Sequence, residues 1–282
     1  MGIKHYTKGT KKPMMNLHQM QPLVVAIARE AGAIIQSMRA GVSVEQKASN
    51  NLVTAADLRA QEHIVQQLRT HFPTHHILAE EGQMEAALDA SDLWIIDPLD
   101  GTNNYAHGIP QYAVSIAYAR GGQTQLGVVL DVCRGELFTA RRGEGAWLNE
   151  IPLRVSTPTQ LTESIIATGF HYDRGDIMRR TLRSLQSLFE HNIRGMRRMG
   201  AAALDICWVG AGRFDGYFEY RLSPWDYAAA ALIAQQAGAQ LAGPSGHPFT
   251  LASQGMICAG AGIFNQLVDI VGDGQRGEPT GV

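Results

Sequence analysis

The stretch Trp94-Ile95-Ile96-Asp97-Pro98-Leu99-Asp100-Gly101-Thr102 is an apolar run that ends in two acids, a proline and a Gly-Thr step. A run of this kind reads as a strand buried on both faces, whose last residues reach the edge of a sheet where a turn can aim both carboxylates at one point. Without a partner the two carboxylates would repel each other and resist desolvation, so they call for a cation or a proton. Oxygen donors with no Cys or His pattern beside them favour Mg²⁺ over zinc or copper. Gly101-Thr102 then stands at what reads as a helix start, where backbone N–H groups and a hydroxyl would seat a phosphate. A metal beside a phosphate seat points to phosphatase chemistry.

The 282 residues, 45% of them hydrophobic and 18% charged, suffice for one large or two closely packed units with a substantial core. A net charge of −2 gives no global attraction to nucleic acid or an anionic membrane, so an anion site must be local. Cys133, Cys207 and Cys258 are odd in number and set in apolar surroundings, which fits reduced core thiols and a cytoplasmic location. No apolar run approaches the roughly 20 residues of a membrane helix.

Residues 1–16, rich in lysine and lacking an apolar h-region, read as a flexible N-terminal tail rather than a secretory signal, and 272–282 as a flexible C-terminal tail. Between them, 17–156 reads as an α+β half with an antiparallel sheet, and 157–271 as an α/β half. Helical spacing of Val24, Ile27, Ala31, Ile34, Ile35 and Met38 predicts a first helix stopped at Gly41, followed by a short strand at Val42-Ser43-Val44. A second helix starts after Thr54 and ends before Pro73. Ile77-Leu78-Ala79 leads into Glu80-Glu81, so two strands each end in acids that can meet in space. Strands separated by Gly-rich turns from Tyr112 to Val155 predict an antiparallel meander. The second half alternates strand and helix, with one helix carrying Met178, Leu182, Leu185 and Phe189 on its apolar face, and another opened by Ser223-Pro224.

Each acid also has an ordinary reading. Asp-Pro and Asp-Gly are common turn dipeptides. Asp57 completes a Thr-x-x-Asp capping pattern with Thr54, and Asp226 does the same with Ser223. Glu219, beside Tyr217-Phe218, is either a solvent-facing residue or an acceptor for a sugar hydroxyl. His71, His75 and His76 read as a surface loop, because Pro73 breaks any helix between them. Arg179, Arg180 and Arg183 read as the solvated face of an amphipathic helix; with Arg194, Arg197 and Arg198 they form an arginine-rich segment open to an anion or a protein partner. The glycine pairs at 210–212 and 260–262 lack a dinucleotide fingerprint, so no nucleotide cofactor is expected.

Asp97-Pro98-Leu99-Asp100-Gly101-Thr102-Asn103-Asn104-Tyr105 resembles a signature of the inositol monophosphatase family, and Trp225-Asp226-Tyr227-Ala228-Ala229-Ala230 with Ala237-Gly238-Ala239 resembles its second. Gln236 and Ala239 depart from the usual acid and glycine there. The resemblance runs from about Leu23 to Val271. It implies an α+β, layered αβαβα architecture of the inositol monophosphatase / fructose-1,6-bisphosphatase type, with the site where the two halves join. Carried over by position, it implies metal ligation by Glu80, Asp97, the Leu99 carbonyl, Asp100 and Asp226. Thr102 and Asp57 correspond to the pair that activates water. Substrate contacts fall on Gly101, Thr102, Gly200, Ala201, Ala202, Glu219 and Asp226. The resemblance also implies inhibition by lithium and a homodimer.

The activity so implied is Mg²⁺-dependent hydrolysis of a small phosphorylated polyol or sugar, foremost myo-inositol monophosphate, by direct attack of water. Fructose-1,6-bisphosphate, NADP⁺, histidinol phosphate and a 3′-phosphonucleotide are alternative substrates on the same core. A different class of function is also implied by some bacterial relatives: a regulator that binds transcription or RNA-processing machinery, with the arginine-rich segment as its surface and without direct nucleic-acid or membrane binding.

Overall fold

Asn16 opens the first helix: its side chain accepts from the Gln19 N–H while Gln19 accepts from the Asn16 N–H, both at 3.0 Å, a reciprocal cap that places Asn16 with the helix rather than with a tail. The structure, a computed structural model, describes residues 15–39, 44–48, 51–82 and 86–272, with only the backbone course at 44–48 and 51–53. The expected stop at Gly41, Val42-Ser43 and most of both tails lie outside the described residues.

The elements run α1 (Leu17–Ser37), β1 (Val44–Ala48), β2 (Asn51–Thr54), α2 (Ala55–His71), β3 (His76–Ala79), β4 (Leu93–Asp100), α3 (Thr102–His107), β5 (Ala113–Arg120), β6 (Gln123–Asp131), β7 (Glu136–Arg141), β8 (Gly145–Leu148) and β9 (Ile151–Pro152). They continue with β10 (Ile165–Thr168), α4 (Asp176–Glu190), β11 (Gly195–Arg197), α5 (Ala202–Gly210), β12 (Gly216–Glu219), α6 (Pro224–Gln236), β13 (Ala239–Ala242), β14 (Met256–Gly260) and α7 (Ala261–Val271).

β3 to β9 form a seven-stranded sheet in chain order, parallel at β3–β4 and antiparallel from there on, so the meander forms as expected. A five-stranded mixed sheet has the order β11-β10-β12-β14-β13. A hairpin of β1 and β2, which the sequence reading lacked, precedes α2.

Helices α1 and α2 bury their apolar stripes, Val24, Ile27, Ile35, Ile64 and Leu68 among them, on one face of the larger sheet. Helices α5 and α6 are apolar nearly all round, because they lie between the two sheets. Helix α7, with α4 against it, covers the outer face of the smaller sheet. The result is the layered αβαβα architecture. Its middle layer, α5 and α6, carries second-half residues to the end of the first-half sheet.

Two local expectations are corrected. The acids do not follow β4 in a turn; β4 runs through them, and its pairing with β5 slips between Asp97, opposite Ser115, and Asp100, opposite Ala113. Residues three apart on a regular strand point to opposite faces, and the extra residue of this bulge turns Asp100 to the side of Asp97. Pro98, which has no N–H to give a neighbouring strand, fits there. The second correction is α4: its buried residues are Thr181, Ser184 and Leu188, whereas Leu182 and Phe189 are more than half exposed. Its polar contact face is stable because Thr181 Oγ1 donates to the Ile177 carbonyl and Ser184 shares a hydrogen bond with Tyr220. Arg180 is not solvated like Arg179; it lies over the Tyr220 ring and donates to the Pro244 carbonyl at 2.7 Å.

Candidate functional site

Four carboxylates from three stretches of the chain, the end of β3, β4 and the start of α6, are brought to one place. Glu80 follows β3, its N–H donating to the Ile96 carbonyl of β4, one residue before Asp97. The adjoining Glu81 backbone is clamped by Gln61 of α2, which both donates to its carbonyl (2.5 Å) and accepts from its N–H (2.9 Å). Asp97 accepts the Leu99 N–H at 3.0 Å, which shapes the bulge. Asp100 accepts from the Ala202 and Ala203 N–H groups (3.2 and 2.7 Å), so the first turn of α5 is fastened to β4. Asp226 accepts the Ser223 N–H at 2.7 Å, retaining its expected capping role at the start of α6.

Beside them stands the pair carried by α2 and α3. The Thr54 N–H and hydroxyl both donate to Asp57 Oδ2 (2.8 and 2.6 Å), which leaves Oδ1 for the Thr102 hydroxyl at 3.0 Å. Thr102 Oγ1 is also 3.0 Å from the Leu99 carbonyl. The cap and the contact to Thr102 therefore use different oxygens of one fully buried carboxylate. Gly101 ahead of them has φ 93°, and a Cβ there would lie 2.8 Å from the Gln111 carbonyl, so the step needs glycine.

These residues border one cavity of about 550 Å³, lined by Glu80, Asp97, Leu99, Asp100, Gly101 and Thr102 at one end and by Gly200, Ala201, Ala202, Glu219 and Asp226 from the second half. Asp57 stands behind Thr102, out of the lining. All residues expected at the site are thus brought together. The Ala202 N–H is already bound to Asp100.

Taken by themselves, these acids repel one another and are costly to bury. Burial first, then the charges of Glu80, Asp100 and Asp226, hold the Asp97 carboxyl well above the usual range. Burial likewise pushes Asp100 up to about 7 and raises Asp226 strongly. Three aspartates raised in this way beside Glu80 fit a hard, oxygen-loving divalent cation, whose charge reverses the penalty. Among the described residues no three acidic, histidine or cysteine side chains form a ready-made metal cage. An open arc of carboxylates with one backbone carbonyl suits a cation that completes its shell with water and substrate oxygens.

Two features of the cavity had no expectation attached. Tyr217, fully buried, donates to Glu219 Oε2 at 2.6 Å, and a Cβ at Gly169 would collide with that carboxylate, so Glu219 is held in one pose. Burial pushes Glu219 up to about 7. Asp205, on α5, lines the cavity with Oδ1 lacking a hydrogen-bond partner among the described residues, and burial holds its carboxyl well above the usual range. The acid in Ala203-Leu204-Asp205-Ile206-Cys207, among apolar neighbours, was the available sequence signal. The three histidines separate: His71 ends α2, His76 opens β3, and His75 stacks among Phe72, Trp94 and Tyr118 rather than standing in a loop surface.

The sequence pattern of the inositol monophosphatase family matches residues 16–271. The chain belongs to the inositol monophosphatase family. It is 42% identical over 226 residues to Nus factor SuhB of Escherichia coli K12 (79% of this chain, 84% of the relative), and 37% identical over 260 residues to Nus factor SuhB of Pasteurella multocida (91% and 95%). Among solved structures it is similar to the extragenic suppressor protein SuhB of Bartonella henselae, with TM-score 0.85 and 33% identity over 92% of this chain and 99% of that one. It is likewise similar to an IMPase of Thermotoga maritima, with TM-score 0.82 and 34% identity over 89% and 96%. Inositol monophosphatase family members are generally metal-dependent, in agreement with the acid-lined cavity.

Proposed function

We propose that this chain is a Mg²⁺-dependent phosphomonoesterase acting on a small phosphorylated polyol, with myo-inositol monophosphate as the reference substrate. The observation that carries this reading is the meeting of Glu80, Asp97, Asp100 and Asp226 in one cavity beside the Thr102–Asp57 pair. Glu80, Asp97, the Leu99 carbonyl, Asp100 and Asp226 would hold the cations. When bound, Mg²⁺ would neutralise phosphate oxygens and acidify water.

The chain's own residues supply the proton path. Thr102 has one hydroxyl proton and two acceptors within reach, Asp57 Oδ1 and the Leu99 carbonyl. With that proton directed to Asp57, Oγ1 keeps its lone pairs for a water on the cavity side, and Asp57 takes up the proton in turn. Burial raises the Asp57 carboxyl even against the hydrogen bonds it accepts, which favours proton uptake. Gly101 and Thr102 border the phosphate end. Glu219, fixed by Tyr217, is the acceptor for a hydroxyl of the alcohol, with Gly200, Ala201 and Ala202 forming the adjoining wall.

The test is phosphate release from myo-inositol 1-phosphate with Mg²⁺ and with excess chelator. Release that needs Mg²⁺ and falls with millimolar-range lithium is the expected outcome; release undiminished by chelator would overturn the metal-dependent reading. Fructose-1,6-bisphosphate, NADP⁺, histidinol phosphate and a 3′-phosphonucleotide belong in the same panel. A homodimer in the cytoplasm is the matching assembly and location, and among the described residues no helix is long and apolar enough to cross a membrane.

The relatives named Nus factor SuhB favour a second reading alongside the first, a regulator that binds transcription or RNA-processing proteins. The exposed side of α4, with Arg179, Arg183, Leu182 and Phe189, would be the surface. Capture of transcription proteins from lysate by the native chain, lost on charge reversal at Arg179 and Arg183, tests it.

A further inference from the structure

The cavity has two electrostatic ends. Its floor carries the acids described above. Its mouth is bordered by Arg198, Arg221 and His171, each from a different connection: β11 to α5, β12 to α6, and β10 to α4. Both arginines are exposed, and among the described residues neither is ion-paired with a carboxylate.

Arg198 lines the same cavity as the acids. A Cβ at Gly200 would meet its Nη1 at 2.6 Å, and its guanidinium stands 6.0 Å from the Phe170 ring. Tyr172, also at the mouth, lies between the field of Arg198 and that of Glu80 and Asp226. Part of the Arg198 charge acts on Glu219 and Asp205. The groups acting on His171 are Arg221, Asp173 and Arg174, and Asp173 is already committed to the Gly175 N–H at 2.7 Å. A guanidinium next to an imidazole, with no carboxylate paired to it among the described residues, leaves a positive potential at the opening of a cavity in a chain of net charge −2. With one phosphate at the floor, where Glu80, Asp97, Asp100 and Asp226 would hold cations, a volume of about 550 Å³ leaves room for an alcohol that extends to the rim.

We propose that Arg221 and Arg198, with His171, form an anion subsite that receives a second phosphate or carboxylate on the alcohol part of the substrate. The subsite rests on the phosphomonoesterase reading above and narrows it to phosphorylated polyols or sugars carrying a further anionic group. Guanidinium groups suit it because their fork binds two oxygens of one phosphate or carboxylate.

Fructose 1-phosphate and fructose 1,6-bisphosphate share the scissile bond and differ only in the distal phosphate. The native chain is expected to favour the bisphosphate in kcat/KM by about tenfold or more, the scale of one charge-assisted contact. That ratio falls toward unity in Arg221→Gln, falls further when Arg198→Gln is added, and shrinks in the native chain as salt is raised. A native ratio near one, or a ratio unmoved by both substitutions in variants with native thermal unfolding, overturns the subsite. If neither compound is hydrolysed, titration calorimetry with the two compounds decides the subsite alone, while phosphate release from inositol 1-phosphate decides the phosphomonoesterase reading separately. Tighter binding of the bisphosphate that Arg221→Gln abolishes supports it; equal affinities refute it.

Discussion

Thr102 Oγ1 and Asp57 Oδ1 lie 3.0 Å apart although 45 residues separate them in the chain. The contact joins the first turn of α2 to the first turn of α3. If it forms one proton-transfer unit, Thr102→Ala and Asp57→Asn each lower kcat by about 10²-fold or more. The double variant is then little slower than the slower single one. Fully multiplicative losses in a double-mutant cycle would separate the two residues.

Asp97→Asn should abolish turnover and raise stability when cations are chelated. Asn keeps an oxygen for the Leu99 N–H but removes a charge that burial and three neighbouring acids oppose. Thermal unfolding in chelator is expected to shift up by about 2 °C or more. A lower midpoint would mean that the carboxylate is satisfied without metal.

The pH dependence of the cation-free protein follows from the same acids. Asp100 and Glu219 are raised to about 7 from ordinary values of 3.8 and 4.5, so the folded state binds protons that the unfolded chain has released. Their stabilising share is complete below about pH 4 and is lost as pH rises through about 7. In chelator the unfolding midpoint should therefore fall between about pH 4 and 7, and Mg²⁺ should flatten that fall. A midpoint that rises over this range in chelator contradicts it.

Tyr217→Phe removes one hydroxyl and keeps the buried ring. The Glu219 carboxylate loses its 2.6 Å donor, and discrimination should suffer more than packing. Both Tyr217→Phe and Glu219→Gln are expected to lower kcat/KM for inositol 1-phosphate relative to an aryl phosphate by about 1–3 kcal/mol, with overlapping effects in the double variant. Equal losses on the two compounds would reduce both residues to structural support.

The sequence by itself determined the local pieces. An apolar run of helix or strand period, the Thr54 and Ser223 caps and the Gly101 step are set by neighbours within a few residues, so α1, α2, the meander and the start of α6 were legible, as were the acids themselves. The tertiary structure decided which faces meet. The helical period of α4 marked Leu182 and Phe189 as its apolar side, yet hydrogen bonds from Thr181 and Ser184 satisfy the opposite side and bury it instead. The bulge that turns Asp97 and Asp100 to one side depends on register with β5. The Tyr217–Glu219 bond, the placement of Asp205 in the cavity and the cationic mouth depend on layers that bring β12, α5 and three loops to one cavity. Such relations join residues far apart in the chain, and no local pattern records them because long-range packing fixes them.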